Sequence, residues 1–323
     1  MRMRSIGSQT AVTRVKLPTA SVAVTWHTKS VMRRVIVLPL LLGAGALTMT
    51  TSGTRAQEEP RVVAIQSMDV GDNLYVISGG GGHTAMYITD NHGVVLVDTK
   101  NPGWGASILN AVQAVTDQPV TTIINTHAHG DHTGSNGDFP GVSRIVAHEN
   151  VPTSMVGTVP TETYVDRLSL FEGRDQIDLY YSGAAHTNGD SIVVFPAVGT
   201  AHVGDLFAGK TPPYIDRARG GSGVAYPETL AKAVSQIDGV TRVIPGHAPP
   251  PPGSPIFEWM TWDDLRTHAM FTEDLLNAVR DGLQAGQNVD ETASQLNLQE
   301  KYPEYDMTRV ERAVEAIYDE LQP

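Results

Sequence analysis

Between residues 57 and 247, apolar residues recur in short runs bounded by turn residues, and two longer stretches among them have helical spacing. Short runs rich in Val, Ile and Thr predict β-strands, because branched side chains suit a pleated surface. We predict strands at 61–66, 74–78, 84–89, 94–98, 120–124, 143–147, 176–181, 191–195, 200–203 and 242–244. Apolar residues at helical spacing predict helices over 106–115 and 227–237. This alternation predicts an α/β protein with two sheets between helices.

The pattern changes after residue 247. Four consecutive prolines at 249–252 predict a stiff, extended spacer. Helical spacing then predicts helices over about 262–285, 289–296 and 307–321, with Asp290 and Asp306 as N-terminal caps of the second and third. We expect these helices to cap the core. A substrate wall or a dimer contact is the alternative.

The first 56 residues have the composition of a leader. They contain eight Lys or Arg residues and no Asp or Glu, and Arg33-Arg34 precedes an apolar run over 35–47 that is too short to span a bilayer comfortably. A small residue, Ala56, stands where cleavage would fall. We expect translation to start at Met32 and the mature protein to be periplasmic or secreted, with no membrane attachment after cleavage. The predicted division is therefore a leader at 1–56, an α/β domain at 57–253 and a helical segment at 254–323 packed on that domain.

Charge and cysteine content restrict the partners. Removing the leader's eight basic residues from the chain's 23 leaves 15 against 35 acidic ones, a net charge of −20. Nucleic-acid phosphates require a basic surface, so this balance argues against nucleic acid and disfavours polyanionic substrates. Solubility of an exported protein is the alternative explanation of the acidic excess, and the expected partner is a small-molecule substrate. The chain has no cysteine, which excludes a disulfide and a lipoprotein anchor. The sequence leaves the oligomeric state open.

Three histidines and one aspartate fall within six positions directly after a predicted strand: His127, His129, Asp131 and His132. Imidazole and carboxylate groups are the ligands that a borderline divalent cation such as zinc accepts. Side chains alternate along a strand, so His127 and His129 should point to the same side. Incidental histidines in a polar turn are an implausible explanation of this density.

Three further candidate ligands lie at the ends of other predicted strands. His186 precedes the strand at 191–195, Asp205 follows the one at 200–203, and His247 follows the one at 242–244. Functional groups of α/β proteins gather at such strand ends because separate strands converge there. Each residue alone would be an ordinary surface or core residue. Together with the histidine cluster they indicate one metal site.

These motifs resemble the metallo-β-lactamase superfamily of metal-dependent hydrolases in order and spacing. The resemblance rests on HAHGDH at 127–132, AHTNGD at 185–190, GD at 204–205 and PGH at 245–247, and it covers the chain from about residue 57 to beyond 247. It implies an α/β fold, an αββα four-layer sandwich, here with a C-terminal helical extension. It also implies a dinuclear centre: His127, His129 and His186 would hold one metal, Asp131, His132 and His247 the other, and Asp205 would bridge them.

Elementary chemistry agrees with this assignment. Each set of three ligands leaves a position for water, as a catalytic zinc requires. Two neighbouring cations need an anionic bridge, which Asp205 and a hydroxide would supply, and that hydroxide is the expected nucleophile. Asp131 is the candidate catalytic residue that orients it. Asp98 is expected to accept the free N–H of a ligand imidazole, with a simple turn-initiating Asp as the alternative. We expect two Zn²⁺ per chain, and the oxygen ligands leave iron or manganese open at one site.

The expected function is therefore an exported hydrolase of an ester, lactone, thioester or amide. Asp205 stands where some superfamily members have a cysteine or serine, which looks more like the glyoxalase II, lactonase and sulfur-oxidation-associated branches. The export signal suits a β-lactamase, which is the alternative enzyme. A periplasmic metal-binding accessory protein is the non-enzymatic alternative, and it predicts a missing ligand. Two loops, 151–171 and 210–226, are either lids or plain connections.

Overall fold

A computed structural model describes residues 63–68, 73–248 and 259–322. The predicted leader, the start at Met32, the proline spacer and the boundary between residues 253 and 254 lie outside these ranges. The division into leader, α/β domain and helical segment therefore stays a prediction. Within the described residues, no helix combines the length and the apolar character that crossing a bilayer requires.

Two β-sheets form the centre of the fold. The first contains β1 (Ala64–Ser67), β2 (Leu74–Ser78), β3 (Thr84–Ile88), β4 (Val94–Val97), β5 (Val120–Ile124), β6 (Arg144–His148) and β7 (Glu162–Tyr164), in that order. The second contains β8 (Arg167–Leu170), β9 (Ile177–Tyr181), β10 (Ser191–Phe195), β11 (Thr200–His202), β12 (Arg242–Ile244) and β13 (Met260–Thr261), also in order. β4 to β7 are parallel, as are β11 and β12, while the other neighbours are antiparallel.

Helices cover the outer faces of both sheets. The helices are α1 (Gly105–Gln113), α2 (Gly130–Thr133), α3 (Tyr226–Gln236), α4 (Trp262–Gln284), α5 (Val289–Gln295), α6 (Leu298–Lys301) and α7 (Val310–Leu321). α1 shares an apolar cluster with one face of the first sheet, and α3, α4 and α7 share another with one face of the second. A third cluster, including Val97, Ile124, Val193 and Phe195, lies between the sheets. This confirms the predicted αββα sandwich with its C-terminal helices.

Full burial of the central strands follows from this layering. In β10, Val193 and Phe195 belong to the cluster between the sheets, whereas Ile192 and Val194 belong to the cluster with the helices. Because both faces are covered, the strand is a continuous apolar run instead of an alternating one. Polar residues lie at the ends of these strands and therefore gather at one edge of the sandwich.

Two local predictions need correction. The loop predicted over 151–171 contains the short strands β7 and β8, which close the edges of the two sheets. Asn288, not Asp290, caps α5: its side chain accepts a hydrogen bond from Glu291 N, and Asp290 lies in the first turn. Amide oxygens cap as well as carboxylates do, so the sequence offered both. Asp306 does cap the turn that leads into α7.

Candidate metal centre

The seven candidate ligands converge at one edge of the sandwich. His127 and His129 follow β5, and the short helix α2 carries Asp131 and His132. His186 lies in the turn before β10, Asp205 in the turn after β11, and His247 after β12. β10 runs antiparallel to β11, so its beginning lies beside the end of β11. His127 and His247, 120 positions apart in the sequence, therefore lie in the same part of the fold.

His127, His129, His186 and Asp205 form the first group. One ligand atom from each lies within 4.8 Å of the others. His127 Nε2 is 3.0 Å from His129 Nδ1, and His186 Nε2 is 2.9 Å from the same atom. Three imidazole nitrogens therefore face a common point.

Asp131, His132 and His247 form the second group, again within 4.8 Å. His132 Nε2 is 3.1 Å from His247 Nε2, which is 3.2 Å from Asp131 Oδ2. Asp205 faces both groups: its oxygens lie 3.3 Å from His132 Nε2, 3.4 Å from His247 Nε2 and 3.6 Å from His186 Nε2. This carboxylate occupies the position that the sequence analysis expects of a bridging ligand.

The outward ring nitrogens of four of these histidines have acceptors. His127 Nδ1 is 2.9 Å from Thr126 Oγ1, and His129 Nε2 is 2.8 Å from Asp216 Oδ2. His186 Nδ1 is 2.7 Å from the carbonyl oxygen of Tyr214. A proton held at each outward nitrogen leaves the lone pair of the converging nitrogen free for a cation.

Asp98 supplies the fourth acceptor. Its Oδ2 lies 2.7 Å from His132 Nδ1 and accepts the Thr126 hydroxyl at 2.7 Å, while its Oδ1 accepts Thr126 N at 2.8 Å. Because the Thr126 hydroxyl donates to Asp98, its oxygen can accept a proton from His127. One buried carboxylate thereby contacts the His132 imidazole directly and the His127 imidazole through Thr126.

His132 and His247 of the second group and His186 of the first group have opposite pKa shifts. Although burial opposes the change, the carboxylates of Asp205 and Asp98 raise the pKa of His132 well above its ordinary value. Likewise, hydrogen bonds to Asp131 and Asp205 raise the pKa of His247 to about 9 against the effect of burial. His186 has the opposite shift, since burial lowers its pKa to about 4. The carboxylates thus draw positive charge to the second group.

The residues fit divalent cations. Among the described side chains, Asp205 Oδ1 is buried without a hydrogen bond of acceptable geometry, although His132 Nε2 lies 3.3 Å away. A buried carboxylate oxygen without a partner is costly unless a cation satisfies it. Converging imidazole lone pairs also repel each other unless positive charge lies between them. Nitrogen and oxygen donors in two groups that share a carboxylate suit two neighbouring metal ions.

Two glycines make room for the donors. A β-carbon on Gly246 would lie 2.0 Å from Asp205 Oδ1, and one on Gly82 would lie 2.2 Å from the His132 ring. Lys100 holds the loop that contains Gly82: its buried ammonium donates to Ile77 O and Gly82 O at 2.8 Å each. Gly82, at the end of the glycine-rich stretch 79–82, therefore allows close approach of the backbone to an imidazole.

Sequence reasoning missed three residues beside the site. Lys100, Asp216 and Tyr214 contact or support the donors, but none belongs to the histidine motifs. Asp216 also accepts a hydrogen bond from Arg219 Nη1 at 2.7 Å, and hydrogen bonds from His129 and Arg219 hold its pKa at about 2 against the effect of burial. The Tyr214 ring is 53% exposed, with its centroid 5.6 Å from that of His186. Tyr214 and Asp216 lie in the loop 210–226, and its naming as a possible lid was the available signal for these two; Lys100 had none.

Comparisons with known proteins found a family model and several relatives that this chain resembles. A family model described as the metallo-beta-lactamase superfamily matches residues 78–247. The α subunit of 2,4-dinitroanisole O-demethylase from Nocardioides sp. is 34% identical over 149 residues, 43% of this chain and 45% of that protein. A type 2 metallo-beta-lactamase from Elizabethkingia meningoseptica is 27% identical over 172 residues, 47% of this chain and 64% of that protein.

Solved structures show the same fold. A metallo-beta-lactamase from Pontibacter korlensis superposes with a TM-score of 0.54 at 18% identity, covering 65% of this chain and 99% of that one. The family model matches more than half of the residues of this chain, which therefore belongs to the metallo-β-lactamase superfamily. The matches span less than two thirds of the length of either curated relative described above.

Proposed function

We propose that the protein is an exported hydrolase with two zinc ions that cleaves an ester, lactone, thioester or amide bond of a small molecule. The observation that carries this proposal is the pair of donor groups that share Asp205, with their imidazoles oriented by outward acceptors. Such a pair suits acyl hydrolysis at neutral pH, because zinc, when bound, lowers the pKa of water and polarises an acyl oxygen.

The chain's own residues would divide the work. His127, His129 and His186 would hold one ion, Asp131, His132 and His247 the other, and Asp205 would contact both. These donors also fit iron or manganese at one site. His247 and Asp131 are about one third exposed, whereas His132 is fully buried. The second group is therefore the side from which substrate and water would enter.

Asp131 would orient the attacking water. Hydrogen bonding to His247 and the charges of both neighbouring histidines hold its pKa at about 2, against the effect of burial. The carboxylate is therefore ionised at neutral pH and would accept a hydrogen bond from the attacking water. Tyr214 presents an exposed ring beside His129 and His186, where an apolar part of the substrate would lie.

The first experiment tests the metal and the chemistry together. Metal analysis of the purified protein should give about two metals per chain, as the two donor groups require. His129→Ala should abolish hydrolysis while circular dichroism shows a retained fold. His92→Ala is the matched control, since His92 is an exposed histidine stacked on Phe171. Full activity in His129→Ala would remove the proposed mechanism.

The second experiment identifies the bond. A panel of an aryl ester, a lactone, a thioester and a chromogenic cephalosporin separates the candidates. β-Lactam hydrolysis is the second candidate, favoured by the similarity to the enzyme from Elizabethkingia meningoseptica. Turnover of the cephalosporin alone would put it first. Bound metal without turnover of any substrate would instead favour a metal-binding accessory protein.

The export proposal rests on residues 1–56 and has its own test. Cell fractionation should place the protein outside the cytoplasm, and N-terminal sequencing should find a start near Gln57. A cytoplasmic protein that keeps residues 33–56 would overturn it.

A further inference from the structure

The loop of residues 210–224, here the wall loop, is anchored at its beginning to the C-terminal helical segment. The Lys210 ammonium lies 3.1 Å from Asp264 Oδ1 of α4 and contacts Glu304. Its carbonyl oxygen accepts a hydrogen bond from Asp306 N at 2.9 Å. An ion pair and a backbone hydrogen bond thus hold one end of the loop against two separate parts of that segment.

A carboxylate of the C-terminal segment helps to anchor the other end, where Ser222 N also donates to Ala185 O at 2.9 Å. Glu320 of α7 accepts hydrogen bonds from the Ser222 hydroxyl, from Gly223 N at 2.8 Å and from Val224 N at 3.3 Å. It also pairs with Arg217 at 3.3 Å, and its side chain is only 17% exposed. A partly buried carboxylate with several donors is a strong anchor, since hydrogen bonds to a charged group are stronger than those between neutral groups.

The loop and α7 also pack without a gap. A β-carbon on Gly223 would lie 2.5 Å from Ile317 Cγ1, so this position of the loop has no room for a side chain. Ile317 itself is 1% exposed. The C-terminal helix therefore lies directly against the wall loop.

Between the two anchors, the wall loop carries two acceptors for ligand imidazoles. Asp216 Oδ2 lies 2.8 Å from His129 Nε2, and Tyr214 O lies 2.7 Å from His186 Nδ1. Asp216 N also donates to His186 O at 2.9 Å. Displacement of this loop would remove the acceptors that fix two of the three histidines of the first group.

We propose that the C-terminal helical segment is a working part of the metal centre and that Glu320 is a positioning residue, which acts through the wall loop and Asp216 on His129. The inference rests on the proposed function in so far as His129 is a metal ligand. It makes the wall loop a fixed wall and not a lid. It also makes the C-terminal helices more than a cap on the core.

The test compares Glu320→Ala with Glu315→Ala, an exposed glutamate on the same helix. In metal-free protein, trypsin should cut after Arg217 and Arg219 about 10-fold faster in Glu320→Ala than in the wild type or the control. Zinc affinity, measured by competition with a chelator, should fall about 10-fold in the same variant, the lower end of the usual effect of residues that orient ligands.

A double-mutant cycle distinguishes a positioning role from a merely structural one. In an Asp216→Asn background, Glu320→Ala should lower zinc affinity less than in the wild type, because the charged acceptor of His129 is already lost and only the contact of Tyr214 O with His186 remains to be displaced. Equal trypsin resistance and equal zinc affinity in Glu320→Ala and Glu315→Ala would overturn the inference. So would an undiminished loss of affinity in the Asp216→Asn background.

Two measures keep the result interpretable. If Glu320→Ala does not fold, as judged by its thermal transition, Ser222→Ala removes one of the same contacts and is read in the same way. The cleavage rate is measured without metal, so it tests the anchor even if the wild type binds no zinc. Absence of zinc binding by the wild type would contradict the proposed function, while slow cleavage of Glu320→Ala would contradict the anchor itself.

Discussion

The metal centre and the C-terminal helices each contain a buried histidine, and the pKa values of these two histidines are shifted in opposite directions. At the centre, the carboxylates of Asp205 and Asp98 raise the pKa of His132 well above its ordinary value, despite burial. In α4, His268 is buried among aromatic rings, including Phe207 at 4.8 Å between centroids, and burial lowers its pKa to about 3. Burial is nearly complete for both side chains.

The opposite pKa shifts come from the neighbouring side chains and not from the extent of burial. Carboxylates around His132 favour positive charge, whether a proton or a metal ion supplies it. Aromatic rings around His268 offer no such compensation, so the neutral imidazole is a core side chain. A buried histidine is therefore evidence of a metal site only where carboxylates and further imidazoles converge on it.

Replacing the shared carboxylate should have the largest effect. In Asp205→Asn, the negative charge between the two donor groups is lost, and the cations are no longer shielded from each other. We expect metal content to fall from about two to about one per chain and turnover to fall about 10³-fold, equivalent to several kcal/mol of lost charge stabilisation. Metal analysis and initial rates measure both.

The control for this change is Asp238→Asn, an exposed carboxylate outside the site. It should keep both the metal content and the rate of the wild type. If Asp205→Asn also keeps two metals, the Asp205 carboxylate is not what distinguishes the surroundings of His132 from those of His268. The explanation of their opposite pKa shifts would then be wrong.

A smaller effect should follow from a steric clash with a metal-ligand side chain that changes no charge. An alanine at residue 82 would place its β-carbon 2.2 Å from the His132 ring, which is fully buried and held by Asp98. We expect Gly82→Ala to weaken zinc binding about 10- to 100-fold, the usual range when a ligand loses its orientation. Competition with a chelator measures the affinity.

Gly130→Ala is the matched control, because an added β-carbon at residue 130 meets nothing within 4 Å although the residue adjoins Asp131. Its zinc affinity should equal that of the wild type. Equal losses of zinc affinity in Gly82→Ala and Gly130→Ala would mean that the contact with the His132 ring is not the cause.

The sequence predicted those parts of the molecule that local patterns determine. Strand β5 and the histidines after it form one continuous signal, and the turn residues before His186 and His247 mark further strand ends. By contrast, Asp216 contacts His129 across 87 positions, and Glu320 contacts Gly223 across 97. Neither spacing leaves a local pattern, because tertiary packing alone brings these residues together. The short edge strands β7 and β8 were missed because they bury few side chains.

The last and smallest expected effect concerns the other histidine. The rings of Tyr226 and Tyr305 also face His268, and the raised pKa of both phenols keeps them uncharged at acid and neutral pH. Below pH 6.5, the unfolded chain binds a proton at this imidazole that the folded chain binds only near pH 3. The free energy of unfolding therefore falls as the pH falls through this window, by about 1.4 kcal/mol per pH unit from this residue.

His268→Leu should remove that contribution, so its free energy of unfolding should decline less steeply between pH 6.5 and pH 4 than that of the wild type. Urea unfolding of both proteins at several pH values measures the two slopes. The proteins are kept metal-free, because protonation of the metal centre would add its own pH dependence. A constant offset between parallel curves would show only altered packing, and would mean that burial does not lower the pKa of His268 in the folded protein.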